Sequence, residues 1–305
     1  MRRLDRPAQQ QDRAAGAALS AAVKPDKNFK GVVIGAQTYS LRDRDVNKAL
    51  VALQELKINT VEMFSGHAEP FQRGTPREEM RKWRLEVPLS HFKEIRKKYN
   101  DGGVTIHAYN YSFREDYTEK EIARGFEFAD ALGAKIITAS SNVTTAKKVD
   151  PFARKAKIRV GMHNHSRIVK NEFATPEDFL AAMKGMSKYI CINLDIGHFT
   201  AANFEPVKFM EEWHSRIVTL HIKDRKKNQG DNVVFGQGDT PIKEVLLWMK
   251  NNRVALPRQG RGFKSTRPTS HAFQERMPGC APPLRTRRST CVCRRGRDRL
   301  WRRRL

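Results

Sequence analysis

In CINLDIGHF, residues 191–199, a run of strand-forming apolar residues ends in Asp195, and His198 follows three positions on. A run this apolar suits a strand covered on both faces, as in a parallel sheet flanked by helices. The neighbouring runs repeat the plan. In RVGMHNHS (159–166), the period of two puts Gly161, His163 and His165 on one side and Met162 and Asn164 on the other. In VTLHIKDRK (218–226), His221 and Lys223 share a face. Further upstream, NTVEMFSGH (59–67) carries Glu62, TIHAYNYSF (105–113) carries His107, and Asn142 lies just past the fourth run.

Seven such runs are predicted as strands, at 32–38, 59–64, 104–109, 134–139, 158–163, 189–195 and 217–222. Helical spacing of apolar residues fills 45–57, 89–99, 118–132, 176–186, 205–213 and 242–251. Thr175 before Pro176, with Asp178 three positions on, predicts a helix start, and Leu132-Gly133 predicts a helix end. Strand–helix alternation predicts a parallel α/β fold. A doubly wound sheet gathers polar residues at one or two crossover points, behind a glycine-rich first loop. Here nearly every strand ends in a chemistry-bearing side chain, the habit of a (β/α)8 TIM barrel. The first loop reads Tyr39-Ser40-Leu41-Arg42-Asp43, without phosphate-cradling glycines. The expectation is therefore a TIM barrel with its eighth strand missing or degenerate. Only Val254-Ala255-Leu256 follows the last helix, and Pro257 cuts it short.

Composition divides the 305 residues into three parts: a leader at 1–30, the barrel at 31–252 and an Arg-rich tail at 253–305. The net charge of +25 invites a nucleic-acid reading. Its placement argues against one, because the tail holds 16 Lys and Arg against Glu275 and Asp298 and so carries +14 of the excess. The tail has 15 Arg and a single Lys, whereas the body uses Lys freely; a shifted reading frame or an appended segment would produce that break. Its composition predicts disorder. Cys291 and Cys293 lack a second pair to complete a metal set. Arg2 and Arg3 precede a weakly apolar run at 14–23, interrupted upstream by Asp12 and Arg13. This suits a flexible leader or a degenerate export signal. Localisation is accordingly cytoplasmic, or periplasmic if the leader is a truncated signal. No stretch of eighteen uncharged apolar residues exists to span a membrane.

The chemistry concentrates on strands five to seven. Asp195, His221 and His165 are candidate metal ligands, since carboxylate oxygen and imidazole nitrogen suit Mn²⁺, Co²⁺ and Zn²⁺, or Mg²⁺ where carboxylates and waters dominate. Glu62, His163 and His165 are candidate catalytic groups, and His107, Asn142, His198 and Lys223 candidate substrate contacts. Trp83 suits ring stacking or packing. Gly236 and Gly238, in NQGDNVVFGQGDTP (228–241), suit phosphate binding or shaping of the pocket.

The motifs IGAQTYSLRD (34–43), VEMFSGH (61–67), VTIHAYN (104–110), VGMHNHS (160–166), LDIGHF (194–199) and LHIKD (220–224) resemble those of the xylose-isomerase-like TIM barrels. That family holds sugar phosphate isomerases and epimerases, and the likeness is nearest the inosose-dehydratase-like branch. The resemblance implies a divalent ion at the mouth of the barrel, Mn²⁺ before Co²⁺, Zn²⁺ or Mg²⁺. It implies Asp195 and His221 as ligands and His198 as a substrate contact. Ketose epimerases of the family also use one Glu from strand five and one from strand eight, both binding the ion and moving the proton. This chain departs at both. Gly161 stands near the first position, with His163 and His165 close by, and nothing after Asn252 resembles the second.

Three functions follow as expectations. The first is a metal-dependent isomerase or epimerase, or a related dehydratase, that abstracts a proton next to a carbonyl on a sugar or cyclitol, impaired by the missing carboxylates; a homo-oligomer stays open. The second is a non-catalytic sugar-binding barrel. The third is an endonuclease acting at abasic sites in DNA, which shares the fold but needs more His and Glu ligands than this sequence offers.

Overall fold

The computed structural model describes residues 32–72 and 74–252. The expectations for the leader, for the Arg-rich tail with its cysteine pair, and for residues 254–256 as a closing strand lie outside the described residues.

Seven parallel strands form one sheet: β1 (Ala36–Gln37), β2 (Thr60–Phe64), β3 (Thr105–Asn110), β4 (Ile136–Ala139), β5 (Arg159–His163), β6 (Ile190–Asp195) and β7 (Ile217–His221). Their order in the sheet is their order in the chain. A doubly wound sheet reverses its order at a switch point, so this monotonic order belongs to a barrel. The sheet is curled, and one bond demonstrates it. His221 on β7 lies 2.8 Å from the Glu62 carboxylate on β2, 159 residues away. Five strand spacings of about 4.8 Å would separate the two strands in a flat sheet. Among the described residues no eighth strand joins β7 to β1.

The curl divides the apolar residues in two. Ala108, Ile136, Cys191 and Val218, one each from β3, β4, β6 and β7, form a small cluster of their own. The larger core includes Val61, Ile137 and Leu194 from the strands and Leu53, Phe92 and Phe128 from the helices. Those helices are α1 (Val46–Glu55), α2 (Ser65–Ala68), α3 (Arg77–Glu86), α4 (Leu89–Asp101), α5 (Glu119–Ala131), α6 (Thr145–Ala156), α7 (Pro176–Met183), α8 (Ile196–Ala201), α9 (Pro206–Trp213) and α10 (Ile242–Asn252). Beyond β7, β8 (Asp224–Arg225) and β9 (Asn232–Val233) pair antiparallel.

Local chemistry explains the boundaries. Asp45 caps α1 by accepting from the amides of Asn47 and Lys48, both at 2.9 Å. Thr175 and Asp178 form the reciprocal capping box expected at the start of α7. Gly133 takes a φ of +76° after α5, a left-handed turn that a side chain would resist.

Some elements differ from expectation. The first strand is only two residues long, because Thr38–Leu41 tightens into a 3₁₀ turn. Helix α6 escapes the sequence reading although Ala146, Val149 and Ala153 recur at helical spacing, because Pro151 inside it reads as a helix breaker. Glu62 and His107 are not at strand ends. Each is the third residue of its strand, and the β2–β3 register skips His107 through a bulge.

Candidate metal and substrate site

Strands β5, β6 and β7 end side by side, and their last residues are His163, Asp195 and His221. One ligand atom from each lies within 4.8 Å of the others, and all three side chains are buried. A second group of the same kind joins His163 to His165 and His198, with His165 exposed and His198 partly so. Among the described residues, two groups of side chains could therefore hold a metal ion, and His163 belongs to both. The structure brings His163 to Asp195 and His221, and places His165 in the other group.

Asp195 is fully buried and held from several sides. Its Oδ1 accepts from the His198 amide at 2.8 Å, which caps α8. Asn164 bonds the Asp195 backbone twice, accepting from its N–H at 2.8 Å and donating to its carbonyl at 3.1 Å. Lys223 Nζ lies 3.0 Å from Asp195 Oδ2, at an angle that makes the contact an ion pair and not a directed hydrogen bond. Burial pushes the Asp195 carboxyl up, but the His198 and Lys223 charges outweigh it and hold the group well below the usual carboxylate range. Gly197 keeps this approach open, since a Cβ there would come within 2.7 Å of the Lys223 carbonyl oxygen.

Glu62 sits behind His221. Its Oε1 accepts from Gln37 Nε2 at 2.6 Å and Thr138 Oγ1 at 2.5 Å, and its Oε2 meets His221 Nε2 at 2.8 Å. Burial raises this carboxyl, yet His221, Thr138 and Gln37 together bring it below its ordinary value, so it is ionised at neutral pH. A carboxylate on one imidazole nitrogen orients the ring and leaves the other nitrogen to act as a ligand.

His163, His165, His198 and His107 are all shifted toward the neutral form. Burial, reinforced by His221, takes His163 well below its ordinary value, and burial lowers His165. Burial and the nearby cations lower His198 to about 4. His107 also falls to about 4, through burial and the Arg159 charge. It lies in the first half of β3, near Arg159 and Glu62 and away from the strand end. Asn142 spends its amide on the Asn171 carbonyl at 3.1 Å, within a bridge between the loops after β4 and β5.

The glycine-rich loop has an internal partner. Asp224 Oδ2 accepts from the Gly236 amide at 2.7 Å and the Gly238 amide at 2.9 Å, so these amides serve the loop's own fold. Trp83 packs edge-on against Phe71, His91 and Phe92. A groove of about 820 Å³ lies elsewhere, lined by Val32, Ile34, Phe235, Ile242 and Leu246, and includes none of the clustered histidines.

The sequence reading passed over Gln37, Thr138, Asn164, Asn193 and Arg225, whose parts in the site are contacts to the residues it singled out. Asn193 Nδ2 lies 3.4 Å from His163 Nδ1 and 3.3 Å from His221 Nε2. Its place two residues before Asp195, on the same face of β6, was the available signal.

Residues 50–255 match the family described as the xylose isomerase-like TIM barrel. No curated protein matches the sequence. Among solved structures, the chain is similar to an uncharacterized protein from Parabacteroides distasonis, at a TM-score of 0.55 and 21% identity over 79% of this chain and 90% of that one. It is similar to the IOLI protein with a bound zinc atom, at 0.56 and 12% over 80% and 89%. It is also similar to a 3-keto-D-glucoside 4-epimerase from E. coli, at 0.55 and 11% over 81% and 93%. At these identities the likeness carries the fold.

Proposed function

Because the chain belongs to the xylose isomerase-like TIM barrel family, we propose that it is a metal-dependent isomerase or epimerase, or a related dehydratase, that moves a proton next to a carbonyl on a sugar or cyclitol. The observation that carries this reading is the convergence of His163, Asp195 and His221 at the ends of three adjacent strands. Two imidazoles and an ionised carboxylate suit Mn²⁺, Co²⁺ or Zn²⁺, with Mn²⁺ first. When bound, such an ion supplies positive charge that polarises a carbonyl and its neighbouring hydroxyl.

The rest is the work of the chain's own residues. Glu62, with its oxygens held by Gln37, Thr138 and His221, orients the His221 ring and is not the base. His165, exposed at the mouth and neutral near pH 7, takes the proton. Lys223 and His198 contact the oxygen on which negative charge develops.

Thermal unfolding tests the ion directly, since a ligand that binds only the folded state raises Tm. The chelated chain titrated with Mn²⁺, Co²⁺ or Zn²⁺ should show a saturable rise that Asp195→Ala abolishes. The same loaded chain should exchange a substrate C–H into D2O, and His165→Gln should lose the exchange while keeping the rise. No rise with any of these ions would end the proposal.

The ammonium of Lys223 beside Asp195 favours a second reading, a site that binds a sugar without metal and without turnover. Calorimetric sugar binding by the chelated chain, with no exchange into D2O under any condition, would identify it.

A further inference from the structure

We infer that Arg225 fixes His198 as the Nε2–H tautomer, making it a hydrogen-bond donor to substrate and excluding it as a base or a metal ligand through that nitrogen. Arg225 belongs to β8, beyond the barrel strands, and its guanidinium is buried among the loops at the mouth. Its donors are spoken for. Nε and Nη2 both reach the Gly230 carbonyl, at 2.9 and 2.6 Å. Nη1 reaches Ser166 Oγ at 2.8 Å and His198 Nδ1 at 2.7 Å.

An arginine has five N–H groups and no acceptor. At 2.7 Å from Nη1, His198 Nδ1 must therefore offer a lone pair, and the proton of the neutral ring sits on Nε2. Nε2 in turn lies 3.2 Å from Lys223 Nζ, also a donor. Two donors cannot bond each other. They stand side by side next to Asp195 Oδ2, which is 3.0 Å from Nζ and 3.8 Å from Nε2. Paired donors of this kind select a ligand oxygen that is rich in negative charge, such as a carbonyl oxygen becoming an enolate. Arg225 is thus a positioning residue that acts through His198. The same guanidinium disfavours a cation in the His163–His165–His198 group, since it and Lys223 already place two positive charges against that group's His198.

The use of this donor rests on the proposed isomerase chemistry, but the tautomer does not, so it is tested without metal or substrate. The full chain labelled with ¹⁵N-histidine, chelated at neutral pH, is examined by long-range ¹H–¹⁵N correlation, with His198→Gln assigning the ring. The expected spectrum places His198 Nδ1 in the unprotonated range and Nε2 in the protonated range. Arg225→Met should move both resonances toward the averaged position of a ring exchanging tautomers, whereas Ser166→Ala should leave them in place. A wild-type ring protonated on Nδ1, or on both nitrogens, overturns the inference, as does a folded Arg225→Met chain with unchanged resonances. Should Arg225→Met fail to fold, the wild-type spectrum decides alone. Failure of the chain to bind any ion would end the isomerase proposal and leave this result standing.

Discussion

Lys223 occupies ground that a divalent ion would contest. Its ammonium is 3.0 Å from a fully buried Asp195 carboxylate, and two like charges about 4 Å apart cost ~4 kcal/mol at an effective dielectric near 20. Lys223→Met should therefore tighten divalent-ion binding by about tenfold or more in calorimetry, while weakening any contact to an anionic substrate oxygen. Unchanged or weaker ion binding would mean that Lys223 moves aside without cost. The neutral histidines make a separate prediction about pH. His107 and His198 both titrate near 4 in the folded chain, against about 6.5 unfolded. Between those values the unfolded chain binds more protons, so stability rises with pH. It should be full above about 6.5, fall as pH drops through this window, and level off for these groups below about 4. Urea unfolding across the window should show the slope, and His107→Gln should flatten it; an unchanged slope would remove His107 from the account. Asp195, His198 and His221 were legible in the sequence because short spacing at strand ends marks them. Asn164, Asn193 and Arg225 were not, because their roles are contacts made to other elements.

At the scale of an element, β5 shows why the strand-five carboxylate of the ketose epimerases has no counterpart here. A Cβ on Gly161 would lie 2.8 Å from Val218 Cγ2 and 3.2 Å from the Asn193 amide nitrogen. Val218 belongs to the small apolar cluster that also holds Ala108, Ile136 and Cys191. Gly161→Glu should therefore fail to add a ligand and should destabilise the chain by about 1–3 kcal/mol or more, through overpacking and a charge forced against apolar neighbours. Tighter Mn²⁺ binding by a stable Gly161→Glu chain would contradict this packing argument. Strands β2 to β7 were readable because their short strand-forming runs alternate with stretches of helical spacing. Helix α6 was missed because Pro151 stands inside it, and β1 was read too long because the turn after Gln37 begins so soon. The β8–β9 hairpin was hidden too, since two-residue strands leave no periodicity to read.

At the scale of the molecule, the order of seven strands was legible and the manner of closure was not. The groove beside α10 presents Val32, Ile34, Ile242 and Leu246. If nothing else in the chain covers it, an apolar fluorescent dye should bind the folded protein, and Ile34→Lys with Leu246→Lys should remove the signal. No dye uptake by the folded protein would show the groove to be filled. Among the described residues, the contact across the interior is made by Glu62, which joins Gln37 on β1, Thr138 on β4 and His221 on β7. That knot has a consequence in time. A chain leaves the ribosome from its N-terminus at about 5–20 residues per second, and the Glu62 carboxylate lacks its last partner until β7 has emerged and docked. The pocket for a metal is thus assembled late in synthesis, and a cell would load this protein only after the ribosome had finished its barrel.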